Sequence, residues 1–327
     1  MNDSLKNLSP LDGRYQNKTE KSRELFSEFA LIKQRIRVEI HWLNYFLTKF
    51  KPELLTEKTQ EKIIALCTTV PDSLIERVKE IENITNHDVK AVELAVAEQF
   101  EESEEIQSLV HIFLTSEDIN SLSYALMLKN AQPILLNWIE NIIQALEVLA
   151  EKNKEVAMLA RTHGQPASPT TLGKELNVFV TRLVKEKRSL SDKKFYAKWG
   201  GATANFNPHL LAYPQEDWIK HSQEFLSNFG VKLTKVATQI EPHDYMADLF
   251  QNIQRVSNIM LDLTQDIWSY IAFDYFSLKM KKNEVGSSTM PHKVNPIDFE
   301  NAEGNLGLSN AIFSHLANKL TVSRLQR

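Results

Sequence analysis

The chain has 327 residues, of which 43% are hydrophobic and 24% are charged, and its formal net charge is −4. This composition is ordinary for a globular protein, and the negative balance excludes a global basic field that would collect nucleic acid or an anionic membrane. The single cysteine, Cys67, excludes an internal disulfide and a zinc site made of cysteines.

The first part of the chain predicts a small helical domain. Its start, MNDSLKNLSPLDGRY, has no apolar segment typical of a secretory signal. No apolar run approaches the roughly 18 residues that span a bilayer, so we expect a soluble, cytoplasmic protein. Short helical patterns follow, separated by FKPELLT and TTVPD. We place an N-terminal helical domain at residues 1–110.

Residues 111–327 carry longer helical patterns and predict a central bundle domain. Pro133 stands where a first-turn proline would, before apolar residues at helical spacing. The same spacing recurs from Leu172 to Leu190, and glycines interrupt it in the last segment, which starts at Ile297. No useful alternating β pattern is visible. The predicted fold class is therefore all-α, a central bundle of long helices with a smaller helical N-terminal domain.

The clearest helical pattern runs from Met246 to Tyr275. A continuous helix of about 40 residues here would be about 60 Å long. Its spacings of four and three define a seam typical of a helix packed among others. The seam comprises Leu249, Ile253, Val256, Met260, Leu263, Ile267 and Tyr270.

Polar residues are concentrated in six short segments between the predicted helices. These are DGRY (12–15), TNHDVK (85–90), TSEDIN (115–120), RTHGQPAS (161–168), TQIEPHDY (238–245) and GSSTMPHKVNP (286–296). Each segment also has a purely structural interpretation as a helix cap or connection.

The structural interpretations are specific. Thr85 with Asp88, and Thr115 with Asp118, fit capping boxes, and RTHGQPAS fits a loop between two helices. Two prolines fit helix starts. Pro242 could begin the helix after EPHDY, and Asn295-Pro296 could cap and begin the last helix.

Four of the nine histidines nevertheless fall in these segments: His87, His163, His243 and His292. Their spacing fits no metal site, and neither a phosphate-binding P-loop nor a serine-hydrolase elbow is present. Hydroxyls, imidazoles and a few cations remain. They favour a cofactor-free site for general acid–base chemistry.

The segment GSSTMPHKVNP resembles the signature loop of the fumarase/aspartase superfamily. Together with TNHDVKAVE, ARTHGQPAS and TQIEPHDY, it is similar to the adenylosuccinate lyases, particularly the bacterial ones. The likeness extends from SPLDGRY to SRLQR. It implies a homotetramer whose active sites are shared between subunits, and a small-molecule substrate. It also implies a further C-terminal helical domain that this chain does not show.

The resemblance implies an activity and a set of roles. The activity is β-elimination of fumarate from adenylosuccinate, giving AMP, and from a succinylated precursor in purine biosynthesis. Ser287 would be the general base, His163 the general acid, and His87 would assist the acid. The implied substrate contacts are Arg14, Tyr15, Asn86, Asp88, Thr115, Ser116, Gln239, Ser288, Lys293, Asn295, Asn301 and Arg327.

Two alternatives stay open. Within the superfamily, the chain could be an argininosuccinate lyase, a fumarase or a cycloisomerase, although the His-Lys pair in MPHK and the EPHDY segment disfavour the first two. From another class, it could be a non-catalytic helical scaffold in which these segments only cap helices.

Overall fold

The computed structural model describes residues 6–279, 290 and 294–325, and over these residues it is predominantly helical. The predicted all-α class is thus confirmed. The chain divides into two compact units. The first comprises Met1–Ala131, Lys194–Pro242 and Ser323–Arg327, and the second comprises Gln132–Lys193 and His243–Val322. The predicted domain boundary at residue 110 stays a prediction. No helix in the described part is both long enough and apolar enough to cross a bilayer.

The first unit is built around one buried helix. Its helices are α1 (Glu20–Phe26), α2 (Glu28–Phe50), α3 (Glu57–Thr68), α4 (Asp72–Thr85), α5 (Asp88–Glu98), α6 (Glu104–Leu109), the start of α7 (Ser116–Lys152), α9 (Asn207–Ala212) and α10 (Trp218–Ser227). The helix α2 begins where the Ser27 hydroxyl accepts a hydrogen bond from the Ala30 N–H at 3.2 Å, as in a standard N-cap.

Aromatic packing holds α2 in the core of this unit. Trp42 is fully buried, and its ring centre lies 5.3 Å from that of Trp199 and 5.2 Å from that of Phe225. Its indole N–H donates to the Ile112 carbonyl at 3.0 Å. Because Ile112 lies just before α7, the core helix directly anchors the segment that leads into α7.

The second unit packs long helices beside a β-hairpin. It contains the rest of α7, the strands β1 (Ala157–Thr162) and β2 (Gln165–Thr171), and the helices α8 (Leu172–Ser191), α11 (Asp244–Ala272) and α12 (Ile297–Leu320). The helix α11 packs against both α8 and α12. A second, minimal sheet in the first unit pairs β3 (Tyr196–Ala197) with β4 (Lys232–Leu233) in parallel.

The predicted helix start at Pro133 is wrong. Pro133 lies inside α7, which begins at Ser116. A proline inside a helix removes one backbone hydrogen bond and costs about 3 kcal/mol. The burial of Ile119, Leu122, Ile139 and Ile143 along the same helix is large enough to offset that cost.

The interpretation of RTHGQPAS as a loop between helices is also wrong. The strands β1 and β2 form an antiparallel hairpin in which Thr162 pairs with Gln165. His163 and Gly164 form its two-residue turn, with φ of 54° and 73°. Positive φ at both central residues is the mark of a type I′ turn. The strands lack clean apolar alternation because most of their residues are exposed.

The two last helices are present, α12 over the predicted segment that starts at Ile297 and α11 with a start that differs from the prediction. The helix α11 has 29 residues and starts at Asp244 rather than at Pro242. Leu249 and Leu263 of its predicted seam are buried, whereas the other five seam residues are half-buried. The cap of α12 is Pro296, not Asn295, and no side chain there accepts the capping hydrogen bond.

Gly173 is required by the close approach of α8 to the end of α7. A Cβ at this position would lie 2.3 Å from the Ala150 carbonyl oxygen and 2.6 Å from the Lys154 Cα. Both contacts are with backbone, so relief would require moving a helix. We expect Gly173→Ala to lower the free energy of unfolding by about 1–3 kcal/mol, measured by urea denaturation.

The neighbouring exposed residue provides the control. Lys174→Ala, on the same turn of α8, should change stability by no more than about 0.5 kcal/mol. Equal stability of Gly173→Ala and the parent protein would contradict the close packing.

Candidate functional site

The start of α7 is organised by a buried carboxylate, Asp118. It accepts hydrogen bonds from the backbone N–H of Thr115 at 2.8 Å, of Gly200 at 3.0 Å and of Gly201 at 3.2 Å. The Lys198 ammonium lies 3.0 Å away, and both side chains are fully buried. The bond from the Thr115 N–H is the acidic half of the predicted capping box, and this half is confirmed. The arrangement places Thr115 and Ser116 at a rigid helix start.

The segment before Thr115 is anchored by a second buried pair. His111 Nδ1 lies 2.6 Å from Oε1 of Glu39, a fully buried residue of α2. Burial raises the pKa of Glu39. Burial alone would lower the pKa of His111, but the Glu39 carboxylate outweighs it and raises that pKa. His111 and Phe113 both adopt positive φ, so the tertiary contacts hold a segment of unfavourable backbone conformation.

The junction between α4 and α5 brings Asn86, His87 and Asp88 to the surface. Asn86 ends α4 in the left-handed conformation, with φ of 50°. His87 is the N-cap of α5, because its Nδ1 accepts the Lys90 N–H at 3.1 Å. The predicted cap at Thr85 is therefore wrong. Thr85 is the last residue of α4, and its hydroxyl donates back to the Ile81 carbonyl.

Asp88 is held by a buried arginine. The Arg35 guanidinium lies 2.8 Å from Asp88 Oδ2, and the side chain of Arg35 is only 6% exposed. Burial alone would raise the pKa of Asp88, but Arg35 and the Val89 N–H outweigh it and lower that pKa. Arg35 Nε also donates to Asn120 Oδ1 at 2.9 Å. One guanidinium thus joins the junction before α5 to the first turns of α7.

Glu117 adds a group that titrates near neutrality. Burial, together with the negative charges of Asp118 and Glu241, raises its pKa to about 7, although Lys198 and a hydrogen bond with Asn120 oppose the shift. Glu241 is itself buried and accepts a hydrogen bond from the Thr234 hydroxyl at 2.9 Å. Gln239, two residues earlier, is half-buried on the same segment.

The predicted contacts near the N-terminus lie in a compact turn. Arg14 is exposed, and its guanidinium carbon lies 5.8 Å from the centre of the Tyr15 ring. The Thr19 hydroxyl donates to the Leu11 carbonyl at 2.9 Å, which closes the turn. Arg14 and Tyr15 are therefore adjacent and ordered relative to each other.

In the second unit, His163 lies exposed at the tip of the β1–β2 hairpin. Neighbouring groups brace this tip. Arg161 donates to the Gly164 carbonyl at 3.3 Å and to the Tyr275 hydroxyl at 3.2 Å, and its guanidinium lies 4.7 Å from the centre of the Phe273 ring. The Tyr275 hydroxyl in turn donates to the Leu159 carbonyl at 3.0 Å.

Asn295 and Asn301 lie near the start of α12, in the same unit as His163. Asn295 is half-buried, and Asn301 is exposed on the first turns of the helix. The amide of Asn305 donates to the Asn301 carbonyl at 2.8 Å. Ser287, Ser288, Lys293 and Arg327 lie outside the described residues.

Some of the predicted site residues are therefore connected through hydrogen bonds and ion pairs. In the first unit, Arg35 and Asn120 connect Asp88 to the helix start at Thr115 and Ser116. Arg35, Glu39 and Lys198 were missed because charged residues in apolar helical or loop surroundings are normally assigned to solvent. A usable signal existed for Arg35 and Glu39. They are four residues apart on a strongly apolar helix, the spacing of one buried face.

The side chains described in each unit are of the types that transfer protons. Among the described residues, no cluster of three His, Cys, Asp or Glu side chains is arranged to hold a metal ion. The groups present are imidazoles at two exposed turns, hydroxyls at a helix start and one carboxyl that titrates near neutrality. Such groups can donate, accept and position protons.

Comparison with known proteins decides the family. Residues 13–310 match the family model described as Lyase. The chain is 50% identical to an adenylosuccinate lyase of Legionella pneumophila (strain Corby), over 99% of this chain and 73% of that protein. It is 44% identical to the adenylosuccinate lyase of Escherichia coli (strain K12), with the same coverage. The chain belongs to the adenylosuccinate lyase family. The predicted family is thereby confirmed, and the alternatives within the superfamily are excluded.

Solved structures agree on the fold. A fumarate lyase from Mesorhizobium sp. BNC1 matches with a TM-score of 0.74 at 18% identity, covering 94% of this chain and 67% of that one. A 3-carboxy-cis,cis-muconate lactonizing enzyme from Pseudomonas putida matches with a TM-score of 0.75 at 18% identity, covering 94% of this chain and 68% of that one. At such identities the likeness shows the fold alone.

The raised pKa of Glu117 gives a pH-dependent prediction. Its folded pKa of about 7 lies above the ordinary 4.5, so the folded state disfavours the charged form. Below about pH 4.5 the carboxyl is neutral in both the folded and the unfolded state, so its burial costs no stability. As the pH rises towards 7, the unfolded state ionises first and the free energy of unfolding falls. We expect Glu117→Gln to gain stability over the parent protein between pH 5 and pH 8, on the order of 1–3 kcal/mol.

Urea denaturation at the two pH values measures this change. Glu104→Gln, an exposed first-turn acid of α6, is the control and should show the same difference from the parent at both pH values. If Glu117→Gln also shows no pH-dependent gain, the burial assigned to Glu117 is wrong.

Proposed function

We propose that this chain catalyses the β-elimination of fumarate from adenylosuccinate, giving AMP. The same elimination would act on succinyl-aminoimidazole carboxamide ribotide, a precursor in purine nucleotide biosynthesis. The observation that carries the proposal is the identity of 42–50% to proteins named adenylosuccinate lyase, over 99% of this chain. No cofactor is needed for this reaction, which proceeds by general acid–base catalysis.

The proposed chemistry requires a base, an acid and positive groups near the succinyl carboxylates. Ser287 would remove the proton from the succinyl Cβ, and His163 would protonate the departing nitrogen. Removing a proton beside a carboxylate builds a doubly charged intermediate. Lys293 and the positively polarised start of α12 would stabilise it. Because Asp298 and Glu300 oppose an anion at that helix start, Lys293 should carry most of this effect.

The hairpin supports the role of His163. A two-residue turn braced by Arg161 and Tyr275 limits the positions that its imidazole can take. Holding an acid in the right geometry relative to its substrate lowers the entropic part of the barrier. A hairpin tip also projects outwards, which suits an acid that serves a site assembled from several chain segments.

We further propose a homotetramer in which each active site is shared between subunits, acting in the cytoplasm. The exposure of His163 and Asn301 is consistent with sites completed by other chains. Five of the seven seam residues on α11 are only half-buried within one chain, which leaves apolar surface for helices of other subunits.

A helical scaffold remains the second candidate, because one observation favours it. His87 accepts a hydrogen bond from the Lys90 N–H, so capping α5 already accounts for a histidine at this position. A scaffold would need the cap and not the imidazole chemistry. The two candidates therefore differ in what the exchange of His87 for another capping residue should do.

The enzyme proposal is tested by following the ultraviolet absorbance of adenylosuccinate with the purified protein. We expect turnover in the parent protein and losses of about 10²–10⁴-fold in Ser287→Ala and in His163→Ala. Circular dichroism and the oligomeric state of both variants should match the parent. An assembled parent protein that leaves adenylosuccinate unchanged would refute the activity, and near-normal turnover in either variant would refute that residue's role.

Substitutions at His87 separate the cap from the chemistry. His87→Asn keeps a good N-cap and removes the imidazole, whereas His87→Ala removes both. We expect His87→Ala to be less stable by about 1 kcal/mol, and His87→Asn to be as stable as the parent. Turnover should fall in both variants. Full turnover in His87→Asn would show that His87 acts only as a cap.

A further inference from the structure

Arg35 is an enclosed cation with two directed hydrogen bonds. Its side chain is 6% exposed, on the N-terminal half of the core helix α2. One terminal nitrogen lies 2.8 Å from Asp88 Oδ2, and Nε lies 2.9 Å from Asn120 Oδ1. The guanidinium is a rigid plane with donors at fixed angles. These two bonds therefore fix the two partner side chains relative to each other.

The two partners lie at the starts of different helices. Asp88 is the first residue of α5, directly after the cap His87, and Asn120 is on the second turn of α7, which begins at Ser116. Asn120 also forms a side-chain hydrogen bond with Glu117. A continuous polar chain thus runs from Asp88 through Arg35 and Asn120 to Glu117.

Stability alone does not explain a buried arginine at this place. Removing a guanidinium from water costs several kcal/mol, and a single ion pair seldom returns more than that cost. Asp88 is 49% exposed and could be solvated by water without Arg35. An apolar residue on α2 would pack in the core at less cost. What Arg35 provides is a direct link between two helix starts.

We propose that Arg35 is a positioning residue of the active site, holding the His87–Asp88 junction and the Thr115–Ser116 helix start at the separation that one substrate molecule requires. The inference rests on the proposed function, since it takes these residues as substrate contacts. Arg35 acts through Asp88 and Asn120 and is itself enclosed, so it is not a catalytic residue.

The same contacts specify what Asp88 can recognise. Its Oδ2 faces Arg35, and its Oδ1 accepts the Val89 N–H at 2.9 Å. Burial alone would raise the pKa of this carboxyl, but Arg35 and the Val89 N–H outweigh it and lower that pKa. An anion repels phosphate and carboxylate groups, but each oxygen retains a lone pair for a hydroxyl or N–H donor. On the proposed function, Asp88 would therefore accept a hydrogen bond from a hydroxyl or N–H donor of the substrate rather than contact its phosphate or carboxylates.

The test is Arg35→Lys, which keeps the charge and loses the planar pair of donors. If Arg35 served only to neutralise the charge of Asp88, a lysine at this position would leave kcat unchanged. We expect kcat to fall about 10- to 100-fold with a smaller change in KM, because small displacements of contact groups act on the transition state. Kinetics are measured per folded molecule, with circular dichroism and a denaturation midpoint confirming the fold at the assay temperature.

Arg77→Lys is the matched control. Arg77 also donates through Nε and a terminal nitrogen, at 2.9 and 2.8 Å, but to the exposed Glu98 at the other end of α5. We expect its kcat to stay within about twofold of the parent. Near-parental kcat in folded Arg35→Lys, or an equal loss in Arg77→Lys, would overturn the inference.

A second variant decides the matter if Arg35→Lys does not fold. Asn120→Ala leaves the pair of Arg35 and Asp88 intact and cuts the link to α7, so we expect a similar fall in kcat. Where Arg35→Lys does fold, the losses in the double variant should not add, because both changes break one chain of contacts. Parental kcat in Asn120→Ala would refute the linkage. An inactive parent protein would instead refute the proposed function itself.

Discussion

The Asp118 carboxylate is the group on which the rest of the first unit depends. It is fully buried, and a buried charge without partners would cost several kcal/mol. Three backbone N–H groups and the Lys198 ammonium satisfy it. Those donors come from the start of α7 and from residues 198–201, which are distant in the sequence. Leaving any of these groups unpaired would cost free energy, so the two segments are held together. The start of α7, which carries Thr115 and Ser116, is therefore held in one position.

The helix α2 extends the same principle. It is a core helix, with Trp42, Leu43 and Phe46 fully buried, yet it also encloses Arg35 and Glu39. These charged side chains have partners on other elements, Asp88 and Asn120 for Arg35 and His111 for Glu39. Apolar burial supplies the stability of this unit, and the buried polar contacts determine where the helix ends and loops lie. Helix interiors filled with packing leave the chemistry to those ends.

Some of this arrangement could be predicted and some could not. The periodicity at Leu249, Ile253 and Val256 predicted α11, because one apolar face recurs every three to four residues in any buried helix. The hairpin at His163 was not predicted, because its strands are exposed and carry no alternating pattern. The pair His163-Gly164 was the available signal, because a two-residue turn with positive φ favours glycine. Pro133 led to a wrong prediction of a helix start, because α7 contains this proline in its interior.

The sequence by itself determined the helical class, the approximate helices, the polar segments and, through their resemblance, the family. These depend on local periodicity and on short motifs, which a linear chain displays directly. Only the tertiary structure decided that His87 caps α5, that Asp118 is a buried ion pair rather than a surface acid, and that Arg35 connects two helix starts. The His87 cap is a local hydrogen bond with the Lys90 N–H, whereas the Asp118 ion pair and the Arg35 link depend on burial and on partners up to 85 residues away along the chain. The free energy of a charged group is set by its surroundings, which exist only once the chain has folded.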